Sequence, residues 1–131
     1  MVIAIGLGGY ALGNRSGQHQ AEVEGLVLSL NHQAGHLSYL RSVGFARTDY
    51  LNTLEVSLDC TLLSLSERSA YHDLRSCDQD FLQEVKRYRQ TYPYDVPTDY
   101  VAGMVHARLV HPKAQAYLDS FVQEAPRMKV L

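Results

Sequence analysis

Six histidines, two cysteines, nine tyrosines and fourteen acidic residues are the side chains of this 131-residue chain most able to do chemistry, and their spacing decides which chemistry. His32 and His36 stand four residues apart, so on a helix two imidazoles would project from one face, a spacing that can supply two metal ligands. The residues between them are Gln33, Ala34 and Gly35, without the glutamate of an H-E-x-x-H zinc motif. A third ligand would have to come from His72, His106, His111 or a carboxylate. Solvated polar-face histidines are therefore the expectation, with a metal-dependent sensor or small enzyme using His32 and His36 as the alternative. No cofactor is expected. Asp78 with Asp80, and Asp95 with Asp99, are the paired acids, but the first two fall on the polar side of a predicted helix. The other two fall in a linker and a first turn, where acids suit the helix dipole. No nucleophile elbow, phosphate loop or C-x-x-C-H segment is present.

Cys60 and Cys77 lack the spacing of a zinc site or of a redox C-x-x-C pair. They lie symmetrically about the segment Ser66-Glu67-Arg68-Ser69-Ala70. A turn there would bring them face to face across a helical hairpin, where a disulfide adds about 3 kcal/mol and requires an oxidising compartment. The alternative is two buried free thiols acting as small apolar residues. Tyrosine is the least ordinary feature of the composition, since no tryptophan is present and phenylalanine occurs three times. Tyr88, Tyr92, Tyr94 and Tyr100 gather around Pro93 and Pro97 together with Arg87 and Arg89. Rigid apolar rings with polar tips beside a guanidinium suit a protein-binding surface, and Tyr88, Arg89, Tyr92, Tyr94 and Tyr100 are its candidate residues. The alternative is that these rings pack over helix ends.

The elements that would position these groups follow from hydrophobic periodicity. Val23, Leu26, Val27, Leu30, Ala34, Leu37, Leu40 and Val43 make one helical face, and Gly44 stands where a C-cap glycine belongs. Thr48 or Asp49 is placed to cap the next helix. From Leu51 to Leu65 the sequence fits an alternating strand as well as a helix through Leu51, Leu54, Leu58, Leu62 and Leu65, and the flanking helices and scarcity of β-branched residues favour helix. A third amphipathic helix runs through Tyr71, Leu74, Cys77, Phe81, Leu82, Val85 and Tyr88, with Arg75, Asp78, Gln79, Lys86 and Arg89 opposite. The prolines at 93 and 97 make an extended connection. Thr98 then caps a segment with Tyr100, Val101, Met104, Val105 and Leu109 inward. Pro112 opens or kinks a last stretch whose apolar face is Ala116, Tyr117, Phe121 and Val122. The expected fold is all-α: four to five antiparallel amphipathic helices, as a bundle or paired helical hairpins, in one domain over 18–131.

Residues 1–17 form a separate apolar, glycine-rich segment ahead of that domain, uncharged as far as Asn14. Gly6, Gly8 and Ala11 fit G-x-G-x-x-G/A, but the polar, glycine-broken stretch after them is not the amphipathic helix a dinucleotide site needs. A dozen apolar residues fall short of the ~20 that span a bilayer, while Gly9, Gly13 and Gly17 have the four-residue spacing that membrane helices tolerate. Part of a membrane anchor, or a packing segment folded on the domain, is the expectation. Twelve basic against fourteen acidic residues give a net charge of -2, which argues against a nucleic-acid partner.

The order of apolar start, amphipathic helix, the run Leu51-Asn52-Thr53-Leu54-Glu55-Val56-Ser57-Leu58-Asp59 and then Tyr88-Arg89-Gln90-Thr91-Tyr92-Pro93 resembles small bacterial proteins with one membrane anchor and a helical domain. That resemblance implies no activity and no catalytic residue. The sequence thus points to a non-enzymatic helical domain of the bacterial cell envelope, anchored in the inner membrane, facing the periplasm and binding a protein partner or itself. A soluble, cytoplasmic helical oligomerisation protein is a further alternative.

Overall fold

The computed structural model describes residues 7–97 and 102–121, with side chains described over 17–97 and 106–121. Four α-helices pack against one another as a bundle: α1 (Leu7–Ser42), α2 (Thr48–Ser66), α3 (Ser76–Thr91) and α4 (Ala102–Asp119), with a 3₁₀ turn at Tyr71–Asp73 and no strand among the described residues. Helix α1 runs unbroken through its glycines and across position 17, and at 36 residues it is about twice as long as each of its neighbours. Its inward stripe is Val23, Val27, Leu30, Ala34, Leu37 and Leu40, at the three- and four-residue spacing of one helical face. Val43 points outward instead, because the chain leaves the helix at this point. Gly44 there adopts φ +70, while its N–H bonds to Arg41 O and that of Phe45 to Leu40 O. These are the two hydrogen bonds of a Schellman cap, and only glycine takes that backbone angle without Cβ strain.

The stretch around residues 51–65 is helical throughout, with Leu51, Leu58, Leu62 and Leu65 in the core. Its N-cap is Arg47, without a side-chain cap bond, so Thr48 opens the helix and Asp49 lies in its first turn. The third helix begins later than its apolar pattern suggests, because Tyr71 sits in the 3₁₀ turn. Gln79 Nε2 donates to the Tyr71 carbonyl at 3.0 Å, and the Tyr71 ring stacks on Phe121 at 4.3 Å. Pro112 lies inside α4 and does not divide it. The buried stripe of α4 is Ala107, Val110, Ala114 and Leu118, continued by Phe121. Leu109 is 65% exposed and Ala116 is exposed, so the inward face is not the one its larger apolar residues suggest. Ala107 and Ala114 are small residues on the buried side of α4, which packs on α2. Tyr100, Val101, Met104, Val105 and Val122 lie outside the described side chains.

Neighbour relations set the rest. α1 packs broadly on α2 and α3, α2 packs broadly on α4, and α3 touches α4 more lightly, whereas α2 and α3 share no comparable face. Seven leucines at positions 30, 37, 58, 62, 65, 82 and 118 have no exposed surface, each contributing roughly 1.5–3 kcal/mol by burial. Lys86 of α3 is buried, and its Nζ donates to the Phe121 carbonyl at 2.7 Å beyond the last turn of α4. Tyr117 donates to the Ser69 carbonyl at 3.1 Å, and burial pushes its hydroxyl up to about 12.

Candidate functional site

The chemistry of this molecule is concentrated in a buried cluster of charged side chains where α2, α3 and α4 meet. Glu55 and Asp59 stand one turn apart on α2 and are 0% and 2% exposed. Arg89, from the last turn of α3, reaches both of them: its Nη1 lies against Glu55 Oε2, and its Nη2 donates to Asp59 Oδ1 at 2.8 Å and to the Glu55 carbonyl at 3.2 Å. Tyr88 donates its hydroxyl to Glu55 Oε1, which also has Arg41 Nη2 of α1 at 3.6 Å. His111 of α4 places Nδ1 2.7 Å from Asp59 Oδ2. The ring of Tyr94, in the linker after α3, stands edge-on to that imidazole at 5.2 Å and carries the Arg89 guanidinium over its face at 5.3 Å. All four helices and the linker thus contribute a side chain to one polar centre.

Burial dominates its electrostatics. Desolvation raises the Asp59 carboxyl above the usual carboxylate range, with the hydrogen bond and charge of His111 opposing the shift. Desolvation also lowers the Arg89 guanidinium to about 10, assisted by the nearby positive charge of Arg41 and opposed by Tyr94. The hydroxyls of Tyr88 and Tyr94 are raised by burial, Tyr94 further by the Asp59 charge. Among the described residues the Tyr94 hydroxyl and the Nε atoms of Arg41 and Arg89 are buried without a hydrogen-bond partner. Two carboxylates, two guanidinium groups and one imidazole form one connected polar network. They also tie the diagonal helices α2 and α3 across the core, which their shared apolar surface does not do. Removing one partner from such a cluster costs far more than the intact cluster contributes, since it leaves a buried charge alone.

The candidate residues of the sequence separate clearly. Tyr88, Arg89 and Tyr94 are 6%, 3% and 6% exposed, so the structure corrects their assignment to a surface: Arg89 is drawn in by Glu55 and Asp59, and both rings cover it. Tyr92 is half-buried, and Tyr100 lies outside the described residues. Asp78 is buried and paired with Arg75 at 3.1 Å, Lys86 is buried too, and Phe81 is 37% exposed, so the expected polar face of α3 is partly its inner face. Cys60 and Cys77 are free thiols, half-buried and exposed respectively. The hairpin that would have joined them does not form, because α2 packs on α1 and α4 rather than along α3. His32 and His36 are exposed on α1, and among the described residues no group of three or more His, Cys, Asp and Glu side chains is arranged to hold a metal ion.

Glu55, Asp59, Arg41 and His111 are the members that the periodicity left out. The signal for Glu55 was available: it lies one turn beyond Leu51 and one residue short of a turn before Leu58, within the very stripe that defines α2 as a helix. His111 likewise follows Ala107 by four residues and precedes Ala114 by three.

A recess of about 400 Å³ opens beside the cluster, between α1 and α3. Asn31 and Ser38 line it from α1, Glu84, Arg87 and Thr91 from α3, Tyr92 from the residue that ends α3, and Tyr88 stands between it and Glu55. Among the described residues no helix is long and apolar enough to cross a membrane. The chain matches no family model, no curated protein and no solved structure.

Proposed function

We propose that this chain is a non-enzymatic helical domain of the bacterial cell envelope, held at the periplasmic face of the inner membrane by its amino-terminal segment and acting by binding a protein partner. The observation that carries the reading is the α1–α3 recess, where Tyr92 supplies a half-exposed aromatic ring, Arg87 a guanidinium paired with Glu84 of the same wall, and Asn31, Ser38 and Thr91 polar groups around apolar walls. That mixture suits a protein segment, with an aromatic and an arginine as its anchors. The charged cluster behind the recess supports a binding role over a catalytic one: each of its charges touches an opposite charge, and Tyr88 stands between it and the recess. The helices are taken as antiparallel, which the pairs Gln33–Ser57 and Arg41–Glu55 between α1 and α2, and Glu22–Arg68 between α1 and the turn after α2, support. Uncharged residues at the head of α1, continuous with the bundle through one helix, support the tether.

The test is to express the gene with its native upstream region, carrying a photo-crosslinking residue at position 92, and to fractionate the cells. The expected result is a membrane-associated product and a discrete protein adduct, the association being lost when residues 1–17 are removed and the adduct lost with Arg87→Glu. A product in the soluble fraction with or without residues 1–17 overturns the tether. A chain that gives no adduct overturns the binding site.

A further inference from the structure

The outward face of α1 carries a second pattern that the bundle does not use. Ala21, Gly25, Leu28, His32, Gly35 and Tyr39 recur at gaps of four, three, four, three and four residues, the a/d spacing of a coiled-coil seam. All six are exposed, Leu28 at 51% and Tyr39 at 63%. This is the side of α1 opposite the stripe that starts at Val23, so α2, α3 and α4 leave it open.

The two glycines in the seam have no purpose inside this chain. A Cβ added at Gly25 or Gly35 meets nothing within 4 Å, and neither has a positive φ, so the fold would accept alanine at both. A mid-helix glycine costs about 1 kcal/mol relative to alanine. What it provides is close approach of a second helix backbone. The seam is also free of Asp, Glu, Lys and Arg, although Glu22 and Glu24 flank it on the same helix. That absence selects the occupant. When two identical helices pack in parallel about a two-fold axis, every seam residue meets its own copy, so any charge would face a like charge; an uncharged seam is the one that can pair with itself.

We infer that two copies of this chain associate side by side through the outer face of α1, parallel and in register, with Leu28 and Tyr39 meeting their counterparts and Gly25 and Gly35 letting the helices close. The arrangement puts both amino termini on the same side. It goes beyond the partner recess proposed above, whose edge it meets at Gly35, whereas Leu28 and Tyr39 do not line that recess.

The test is analytical ultracentrifugation of the full chain and of Leu28→Lys and Leu28→Glu variants. The intact chain should self-associate between about 1 µM and 1 mM. Each variant alone should associate about tenfold more weakly or worse, because it sets like charges against each other, and an equimolar mixture of the two should recover dimers through a Lys–Glu contact. Leu28 is exposed, so thermal melting of each variant should match the parent and exclude unfolding as the cause. A chain that stays monomeric across the range, association that neither variant weakens, or a mixture no stronger than its components would each overturn the inference.

Discussion

Two pairs of chemically able side chains in this molecule have the same four-residue spacing and opposite fates. His32 and His36 lie on α1, exposed, with no third group arranged beside them among the described residues. Glu55 and Asp59 lie on α2, buried, and hold Arg89, Tyr88, His111 and Arg41 around them. Spacing therefore puts two groups on one face of a helix, and the company on that face decides whether they meet anything. Around Glu55 the face is Leu51, Leu58 and Leu62; around His32 it is Leu28, Gly35 and Tyr39, which are exposed among the described residues.

The largest test of that difference is Arg89→Met. It leaves Glu55 and Asp59 buried without their cation, and the expected loss is about 3–5 kcal/mol in urea unfolding. Adding Glu55→Met and Asp59→Leu to the same chain should restore most of it, because an apolar core of similar volume avoids the desolvation cost. If the single substitution costs less than about 1 kcal/mol, the cluster does not tie α2 to α3.

A smaller effect is expected from pH. Burial raises the Asp59 carboxyl in the folded protein, so between its ordinary value and the raised one the folded state holds more protons than the unfolded state. The contribution of this group to stability is accordingly greatest in acid and declines as pH rises through that window. Urea midpoints for the parent and for Asp59→Asn across pH 3 to 7 should show the slope reduced in the variant. Parallel curves would mean that the cluster compensates the desolvation of Asp59.

At the small end stand substitutions on α1. Gly25→Ala should raise the stability of the isolated chain by up to about 1 kcal/mol, read by thermal melting in dilute solution. His32→Ala with His36→Ala should change it by no more than about 0.5 kcal/mol, and added zinc should leave the melting temperature of the parent unchanged. A zinc-dependent rise that the double substitution abolishes would return a metal role to the histidine pair.

Much of the fold was legible in the sequence because periodicity reports which face of a helix is apolar. The α1 stripe, the Gly44 cap, the helical state of residues 51–65 and the break at Pro93 all follow from local pattern and backbone chemistry. The candidate site was legible only in pieces. Arg89, Tyr88 and Tyr94 drew notice as an arginine among tyrosines, yet reading charged residues as solvent-facing placed them outside.

The amino-acid sequence determined the all-helical character of the chain and the apolar stripes of α1 and α2, since each is written in residues within a few turns of one another, but not where α3 begins or that Pro112 leaves α4 undivided. Tertiary structure alone decided which charges go inside. Glu55, Asp59, Arg89 and His111 come from three helices, and none of them is buried favourably without the others. Their partners are 30 and 52 residues away in the chain, beyond any local pattern, and meet only once the packing order sets α2 diagonal to α3 and against α4.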